Sequence, residues 1–487
     1  MTETDERRAQ RLSKMERLRE LGIDPFPPRA CLTHTAAQAL AAHVPDAEQQ
    51  PTVTVAGRLV SVRVMGKSTF AHLRDSSGAI QIYLQRDVLG ESSYDVFRQQ
   101  VDLGDFCQCT GELFVTRTGE ITVRVTAWTF LGKALRPLPE KWHGLRDTET
   151  RYRQRYLDLL ANDEVRDVFV KRTRIISAVR RFLDGRGCLE VETPTLQPIY
   201  GGANARPFTT YHNELERTLY LRIADELYLK RLIIGGLDRV YEIAHNFRNE
   251  GVSTRHNPEF TACEVYEAYA DYHDMMALVE QMYSQVATEV LGTAVITYQG
   301  QTIDLTPPWR RITMRDAIFE AAGIDIEAHR EFDGLVAAAR ERGLDLATQP
   351  TWGKAVEKLF DQFVEPNLVQ PTFIVDYPID ISPLAKKKPD APHLVERFEF
   401  FIAGLECGNA FTELNDPLDQ RARFEQQAQA AAKGEDETQP LDEDFILALE
   451  HGMPPTGGLG FGIDRMVMLL TDQVSIREVI LFPQLRD

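Results

Sequence analysis

The stretch from Arg397 to Asp416 reads RFEFFIAGLECGNAFTELND, and it carries the most specific chemistry of the chain. In an extended strand Asn409, Phe411 and Glu413 lie two apart and share a face, so an amide, a ring and a carboxylate form one wall. A second strand-like run places Glu264 and Tyr266 two apart, and the helix-like RIADELYLKRL offers Glu226 beside Tyr228 and Lys230. Three carboxylates in one region are costly to bury without cations. A doubly cationic small molecule would offset that cost. The alternative, a salt-bridge network inside the protein, needs Arg or Lys partners that the local sequence does not supply. Glu399 and Glu406 are seven apart and would face opposite ways on one straight strand, so they converge only if the chain turns at Ala403-Gly404. On residue pattern alone they read as edge-strand charges.

Two further stretches suit a polyphosphate. From Arg239 to Tyr272 the chain runs RVYEIAHNFRNEGVSTRHNPEFTACEVYEAYADY, a period of two on either side of a polar loop punctuated by Gly251 and Pro258. Arg248, Glu250, Arg255, His256 and Asn257 gather donors at one rim of that hairpin. A surface hairpin with a solvated charged loop is the competing reading. Farther on, PPTGGLGFGIDRMVMLL has glycines at 457, 458, 460 and 462 that admit a ligand close to the backbone, and Asp464-Arg465 open a helix whose amides favour anions. It is neither a P-loop nor a dinucleotide fingerprint, because the Lys-[Ser/Thr] pair and the GxGxxG opening are missing. The paired glycines of GGANARPF, Gly201 to Phe208, permit similar close approach.

These residues need scaffolding, and 487 residues with 43% hydrophobic and 26% charged content describe a multidomain globular chain. No apolar run approaches bilayer-spanning length, and the charged start MTETDERRAQRLSKMERL is no secretory signal, so a cytoplasmic protein with no membrane association is expected. Six scattered cysteines read as reduced, mostly buried thiols. The net charge of −18 is uneven: residues 1–145 hold 18 Lys and Arg against 17 Asp and Glu, leaving the acidity to the remainder and the first segment free to approach phosphates.

In chain order, residues 1–50 form a helical extension in which Leu12, Met15, Leu18 and Leu21 make one apolar face before Gly22; its basic face could touch RNA or be solvated. Residues 51–134 alternate in short runs (VTVAGRLVSVRV, AIQIYLQ, EITVRVTAW), which fits an OB-fold barrel. In AIQIYLQ the residues Ile80, Ile82 and Leu84 face inward and Gln81, Tyr83 and Gln85 outward. Residues 135–150, with Pro137 and Pro139, read as a linker. Residues 151–487 form the second domain, with a helix at Val165 to Leu183, a strand at Leu189 to Glu192, a helix from an Asp274 cap to Leu291, and a mainly helical insertion at about 310–370 to which no chemistry is assigned. Lys386, Lys387 and Lys388 read as solvated charges.

FRNEGVSTRHNPEF followed by TACEVYEAYADY resembles the second signature motif of class II aminoacyl-tRNA synthetases, in the form of the bacterial-type lysyl-tRNA synthetases, and the similarity continues to LFPQLRD. The resemblance implies an α+β multidomain enzyme: an N-terminal OB-fold β-barrel that binds the anticodon, and a class II catalytic domain built on an antiparallel sheet flanked by helices. It implies ATP-dependent lysylation of tRNA(Lys) through a lysyl-adenylate, with L-lysine, ATP and tRNA(Lys) as partners, Mg2+ as cofactor and a homodimer built on the helix, strand and proline near Thr193-Pro194.

The resemblance also implies roles. Arg248 holds the amino-acid carboxylate and the ATP α-phosphate, and Arg465 stacks on adenine and reaches the γ-phosphate. Arg255 and His256 hold the outer phosphates, Phe260 stacks on adenine opposite Arg465, and Glu250 and Asn257 complete the ATP site. Gly202 lies in the loop covering the amino acid; Glu226 binds the α-ammonium; Glu264, Tyr266 and Glu413 bind the ε-ammonium; Phe411 lies against the methylene stem, and Asn409 belongs to the same lysine site. Glu399 and Glu406 ligate magnesium, and Phe70, Gln81 and Glu120 contact the anticodon. Three residues depart from the family pattern: Asn204 is larger than usual, Asp225 stands where Pro is general and suits a helix start, and Gly457 replaces a common alanine, loosening selection by one methyl group's packing.

Overall fold

The computed structural model describes residues 3–138, 145–432 and 439–486, so residues 139–144 of the expected linker lie outside the described residues. The chain divides into two compact units, Met1–Arg146 and Asp147–Asp487.

In the first unit a helix, Glu3–Glu20, buries Leu18 completely and ends ahead of Gly22, whose φ of 73° only glycine adopts readily. Its basic face is partly spent within the unit. Arg11 donates to the Ala134 carbonyl at 2.8 Å and Lys14 pairs with Asp102 at 2.6 Å. Five strands follow: β1 (Thr52–Met65), β2 (Ser68–Arg74), β3 (Ala79–Gln85), β4 (Phe106–Val115) and β5 (Ile121–Gly132). They pair in the order β1-β2-β3-β5-β4 and β4 returns to β1, closing a barrel. Period-two alternation fills it, with Val53 and Val55, Ile80, Ile82 and Leu84, and Cys107 and Cys109 pointing inward. The Cys-x-Cys pair is therefore a core feature.

The second unit carries an eight-stranded sheet in the order Arg310–Thr313, Thr372–Pro378, Leu394–Ile402, Leu405–Thr412, Thr456–Gly462, Glu259–Ala268, Arg239–Phe247, Leu189–Glu190. Its inner pairs are antiparallel, as expected, but both edge pairs are parallel. The strand expected to reach Glu192 pairs over two residues only. One face is buried under the helix Tyr272–Leu291, whose Met275, Leu278, Val279 and Met282 recur at helical spacing, and this helix packs on Asp163–Gly185. The cap of Tyr272–Leu291 is Asp271, and Asp274 is its capping-box partner rather than the cap itself. The opposite face of the central strands carries the polar residues singled out in the sequence. The insertion contributes helices Met314–Ala322, Phe332–Glu341 and Trp352–Phe363 and one edge strand of the sheet.

Candidate active site

Three neighbouring strands build the wall and floor of the site because each presents one residue in two to the same face. Glu259–Ala268 supplies Phe260, Glu264 and Tyr266; Leu405–Thr412 supplies Asn409 and Phe411; Thr456–Gly462 runs between them as a floor of glycine. In register, Gly460 lies between Glu264 and Asn409, and Gly458 between Tyr266 and Phe411. A Cβ on Gly458 would stand 1.9 Å from Glu413 Oε1 and 2.6 Å from the Tyr266 ring, so only glycine leaves room there. Gly457 faces the other way. Its Cβ would meet the Asp271 carbonyl at 2.9 Å and Met275 at 3.1 Å, so the missing methyl group lies behind the sheet and does not widen the pocket, contrary to the expectation from sequence.

Over this floor lies a cavity of about 480 Å³. Every residue expected in the catalytic unit lines it except Glu413, which sits beneath Gly458: Gly202, Glu226, Arg248, Glu250, Arg255, His256, Asn257, Phe260, Glu264, Tyr266, Glu399, Glu406, Asn409, Phe411 and Arg465 are brought together. Gly202 is at φ 85°, and a Cβ there would press within 3.0 Å of the Cβ atoms of Ala224 and Glu226. Asn204 lines the cavity with a buried Oδ1 that has no hydrogen-bond partner among the described residues.

The acidic end of the cavity corrects one expectation. Lys230, one helical turn beyond Glu226, is fully buried, donates to Glu226 Oε1 at 2.5 Å and pairs with Glu413 Oε2. An internal cation is therefore present. Spacing i,i+4 on one helix was the available signal. Glu226 and Glu413 share this one ammonium and Glu264 has no cation paired with it, so the carboxyl groups here outnumber the cation that serves them, and Glu413 Oε1 has no hydrogen-bond partner among the described residues. Glu264 accepts from the Tyr266 hydroxyl at 3.0 Å. Burial raises Glu264 well above the carboxylate range, with Asp225 adding to the effect, and pushes Glu413 up to about 8 against the pull of Lys230.

Asp225 stands at the helix start that the sequence suggests, but its side chain is used elsewhere. At the N-terminus of helix Glu226–Ile234 it makes no capping hydrogen bond; its fully buried carboxylate accepts from Asn246 Nδ2 at 3.3 Å and faces Glu264. Burial pushes it up to about 6.

At the arginine-bearing end the Arg248 guanidinium lies over the Phe260 ring at 5.1 Å and donates to the Ile223 carbonyl at 3.4 Å. Arg465 donates to the Glu406 carbonyl oxygen and, at 3.2 Å, to its Oε2. Arg255 reaches across to Glu365 at 3.1 Å, His256 is fixed by Ser253 Oγ at 3.0 Å, and the Asn257 amide ties Glu259 to the backbone of Gln484. Burial and then Arg465 hold His256 below its ordinary value, favouring the neutral ring. Asp464 accepts from Arg172 at 2.5 Å and from the Thr261 amide at 2.8 Å, which anchors the helix that presents Arg465.

Glu399 and Glu406 converge as the sequence required. Ala403 and Gly404 turn the hairpin with φ of 54° and 68°, and a bulge after Phe400 lets Glu406 and Asn409, three apart, both face the cavity. Arg397, which the sequence reading passed over although it lies two residues before Glu399, donates to Asn409 Oδ1 at 2.8 Å and Glu399 Oε1 at 2.6 Å. Tyr377 also donates to Glu399 at 2.9 Å. Burial raises Glu399 to about 7, and neighbouring Glu406 adds to this; Glu406 itself is held low because Arg465, Arg248 and Arg397 together outweigh its burial. Two hard-oxygen donors that repel one another on the wall of this cavity fit a divalent cation that keeps most of its shell from water and phosphate. No group of three or more His, Cys, Asp or Glu arranged for a metal occurs among the described residues. Lys354 and Glu357, from the insertion to which no chemistry was assigned, also line the cavity, and nothing in their sequence marked them.

In the barrel unit Phe70 stacks on Tyr83 with centroids 4.4 Å apart, and Gln81 donates to Glu120 at 2.6 Å. His72 bridges Ser61 and Glu120 at 2.7 Å each, so the three residues expected to meet RNA share one outer face with a ring ladder that continues to Phe114.

An antiparallel sheet whose glycine-rich strand and arginine-bearing hairpin frame one nucleotide-sized cavity defines the class II synthetase catalytic fold. Residues 147–486 match the family of tRNA synthetases class II (D, K and N), and residues 53–131 match the OB-fold nucleic acid binding domain. The chain is 58% identical to a lysine--tRNA ligase of Roseiflexus castenholzii over 99% of both chains. It is 56% identical to that of Chloroflexus aurantiacus, over 100% of this chain and 99% of the relative, and 52% identical to that of Bacillus subtilis, over 98% and 96%. The chain belongs to the lysine--tRNA ligase family. No helix among the described residues is long and apolar enough to cross a membrane.

Proposed function

We propose that the chain activates lysine with ATP and transfers it to tRNA(Lys), and that the cavity divides between the two substrates at Arg248. The observation that carries this is the acidic end of the cavity, where Lys230 pairs with Glu226 and Glu413 while Glu264 has only the Tyr266 hydroxyl and no paired cation among the described residues. A substrate with two ammonium groups meets that deficit. Glu226 takes the α-ammonium; Glu264 with Tyr266, and Glu413 from beneath Gly458, take the ε-ammonium; Phe411 and Asn409 flank the stem.

Arg248 places the lysine carboxylate in line with the ATP α-phosphorus. A carboxylate oxygen forms the new bond to phosphorus as the bond to the pyrophosphate oxygen breaks, giving lysyl-adenylate. The terminal ribose hydroxyl of tRNA then attacks the carbonyl carbon and AMP leaves. Positioning and charge neutralisation supply the rate, with no covalent intermediate on the protein. Arg465 and Phe260 hold adenine; Arg255, released from Glu365, and His256 meet the outer phosphates, with Glu250 and Asn257 shaping the rim. Glu399 and Glu406 would hold Mg2+, which neutralises phosphate charge when bound. Phe70, Gln81 and Glu120 read the anticodon, and the exposed Leu189 and Leu196 fit a homodimer contact. A cytoplasmic location follows from this role.

The test is lysine-dependent pyrophosphate exchange. Arg248→Ala abolishes it, whereas Lys387→Ala, which removes a partly exposed pair with Asp419 at 3.1 Å, retains it. Equal loss in both variants would refute the assignment.

A further inference from the structure

Asp225 is a carboxylate without a cation. Its side chain is fully buried, Oδ1 accepts one hydrogen bond from Asn246, and Oδ2 has no donor among the described residues. The nearby cations are already committed. Arg222 pairs with Glu242 at 2.6 Å, and Lys230 with Glu226 and Glu413. The group that Asp225 faces is the carboxyl of Glu264, itself on the cavity wall and fixed on its other side by Tyr266.

Two carboxyl groups within hydrogen-bonding reach in a buried site cannot both ionise cheaply; one proton held between them satisfies both. The remaining titratable neighbours do not supply it. Glu226 and Glu242 are occupied by their own cations, Cys263 behind the sheet is a buried thiol, and the Tyr266 hydroxyl already donates to Glu264. Arg248 lies against Phe260 and acts on Glu264 only through its charge.

We propose that Asp225 and Glu264 share one proton in the empty pocket and release it to solvent when the ε-ammonium of lysine takes its place, so that lysine binding is coupled to proton loss. This rests on the assignment of the acidic end of the cavity to lysine. Asp225 touches Glu264 and not the ligand, so it is a positioning residue that sets the protonation state of the group that does. The direction follows: protons compete with lysine, so affinity rises with pH through the range in which the pair loses its shared proton, by up to about tenfold per pH unit for one proton released. The free amino acid keeps both ammonium groups through this range.

The test is calorimetric titration of the full-length protein with lysine at pH 6 to 7, in two buffers of different ionisation enthalpy. Release of about one proton per site is expected. In Asp225→Asn, whose amide donates to an ionised Glu264, the release drops towards zero and the lysine KM loses its pH dependence between pH 6 and 8; in Asp225→Ala, where burial alone still raises Glu264, the release falls part of the way. Equal heats in both buffers for the unaltered protein would overturn the proposal, and need no variant to fold. Unchanged release in both Asp225 variants would also overturn it. Absence of lysine binding altogether would instead refute the assignment of the pocket.

Discussion

Lys230 pairs with Glu413 beneath the glycine floor of the cavity, both side chains fully buried, and the same ammonium holds Glu226. A buried pair broken on one side leaves an uncompensated charge, typically at about 3–5 kcal/mol. Lys230→Met is therefore expected to lower stability by that amount, read as the denaturation midpoint. The double variant Lys230→Met/Glu413→Gln should recover part of the loss. A single variant as stable as the parent would show that the pair contributes nothing.

Glu264→Gln keeps the shape of the wall and removes the charge expected to meet the ε-ammonium. Loss of one buried charge-assisted contact costs about 2–4 kcal/mol, which is roughly 30- to 1,000-fold in kcat/KM for lysine. The KM for ATP should stay within a few-fold of the parent's. Steady-state pyrophosphate exchange separates the two, and a parallel loss for both substrates would point to a disrupted fold.

Gly458 and Gly457 are adjacent and face opposite sides of the sheet. Gly458→Ala puts a methyl group onto Glu413 and Tyr266, and is expected to abolish lysine binding. Gly457→Ala meets Met275 and the Asp271 carbonyl behind the sheet, and is expected to cost about 1–3 kcal/mol of stability without changing the preference among amino acids. A changed preference in Gly457→Ala would place that residue in the pocket after all.

Asp225 also makes stability depend on pH. Its folded value of about 6 lies above the ordinary 3.8, so the folded state binds its proton more tightly than the unfolded state. That advantage is complete below the unfolded value and is lost as pH rises towards the folded one. Asp225→Asn should thus raise stability by roughly 1–3 kcal/mol at pH 7.5 and by less at pH 4.5. Thermal denaturation without ligand measures this, and a larger gain at the acidic pH would contradict it.

On the barrel, Phe70 is half-buried with its ring on Tyr83, an outward platform rather than core. Phe70→Ala should raise the KM for tRNA by the equivalent of about 1–3 kcal/mol and leave lysine-dependent pyrophosphate exchange unaffected. Loss of exchange would mean that the substitution acts through folding.

Much of this was legible because a strand's period of two is strict. Asn409, Phe411, Glu264 and Tyr266 share the cavity wall as their spacing demanded, and the Ala403-Gly404 turn brings Glu399 and Glu406 to one face. What spacing could not show was the third dimension. The bulge that re-aims Glu406, the parallel edge pairs and the contribution of Lys354 and Glu357 depend on chain far away in sequence. Asp225 suits a helix start and stands at one; what spacing could not show is that its side chain turns to Asn246 and Glu264, which only the packing of the helix against the sheet brings near.

The acidic end of the cavity is most directly tested by pyrophosphate exchange measured with each of the twenty amino acids in turn. Lysine should stimulate exchange far above the rest, because the carboxyl groups of Glu226, Glu264 and Glu413 outnumber the one ammonium, Lys230, that is paired among them. Stimulation by aspartate or asparagine, with none by lysine, would contradict it.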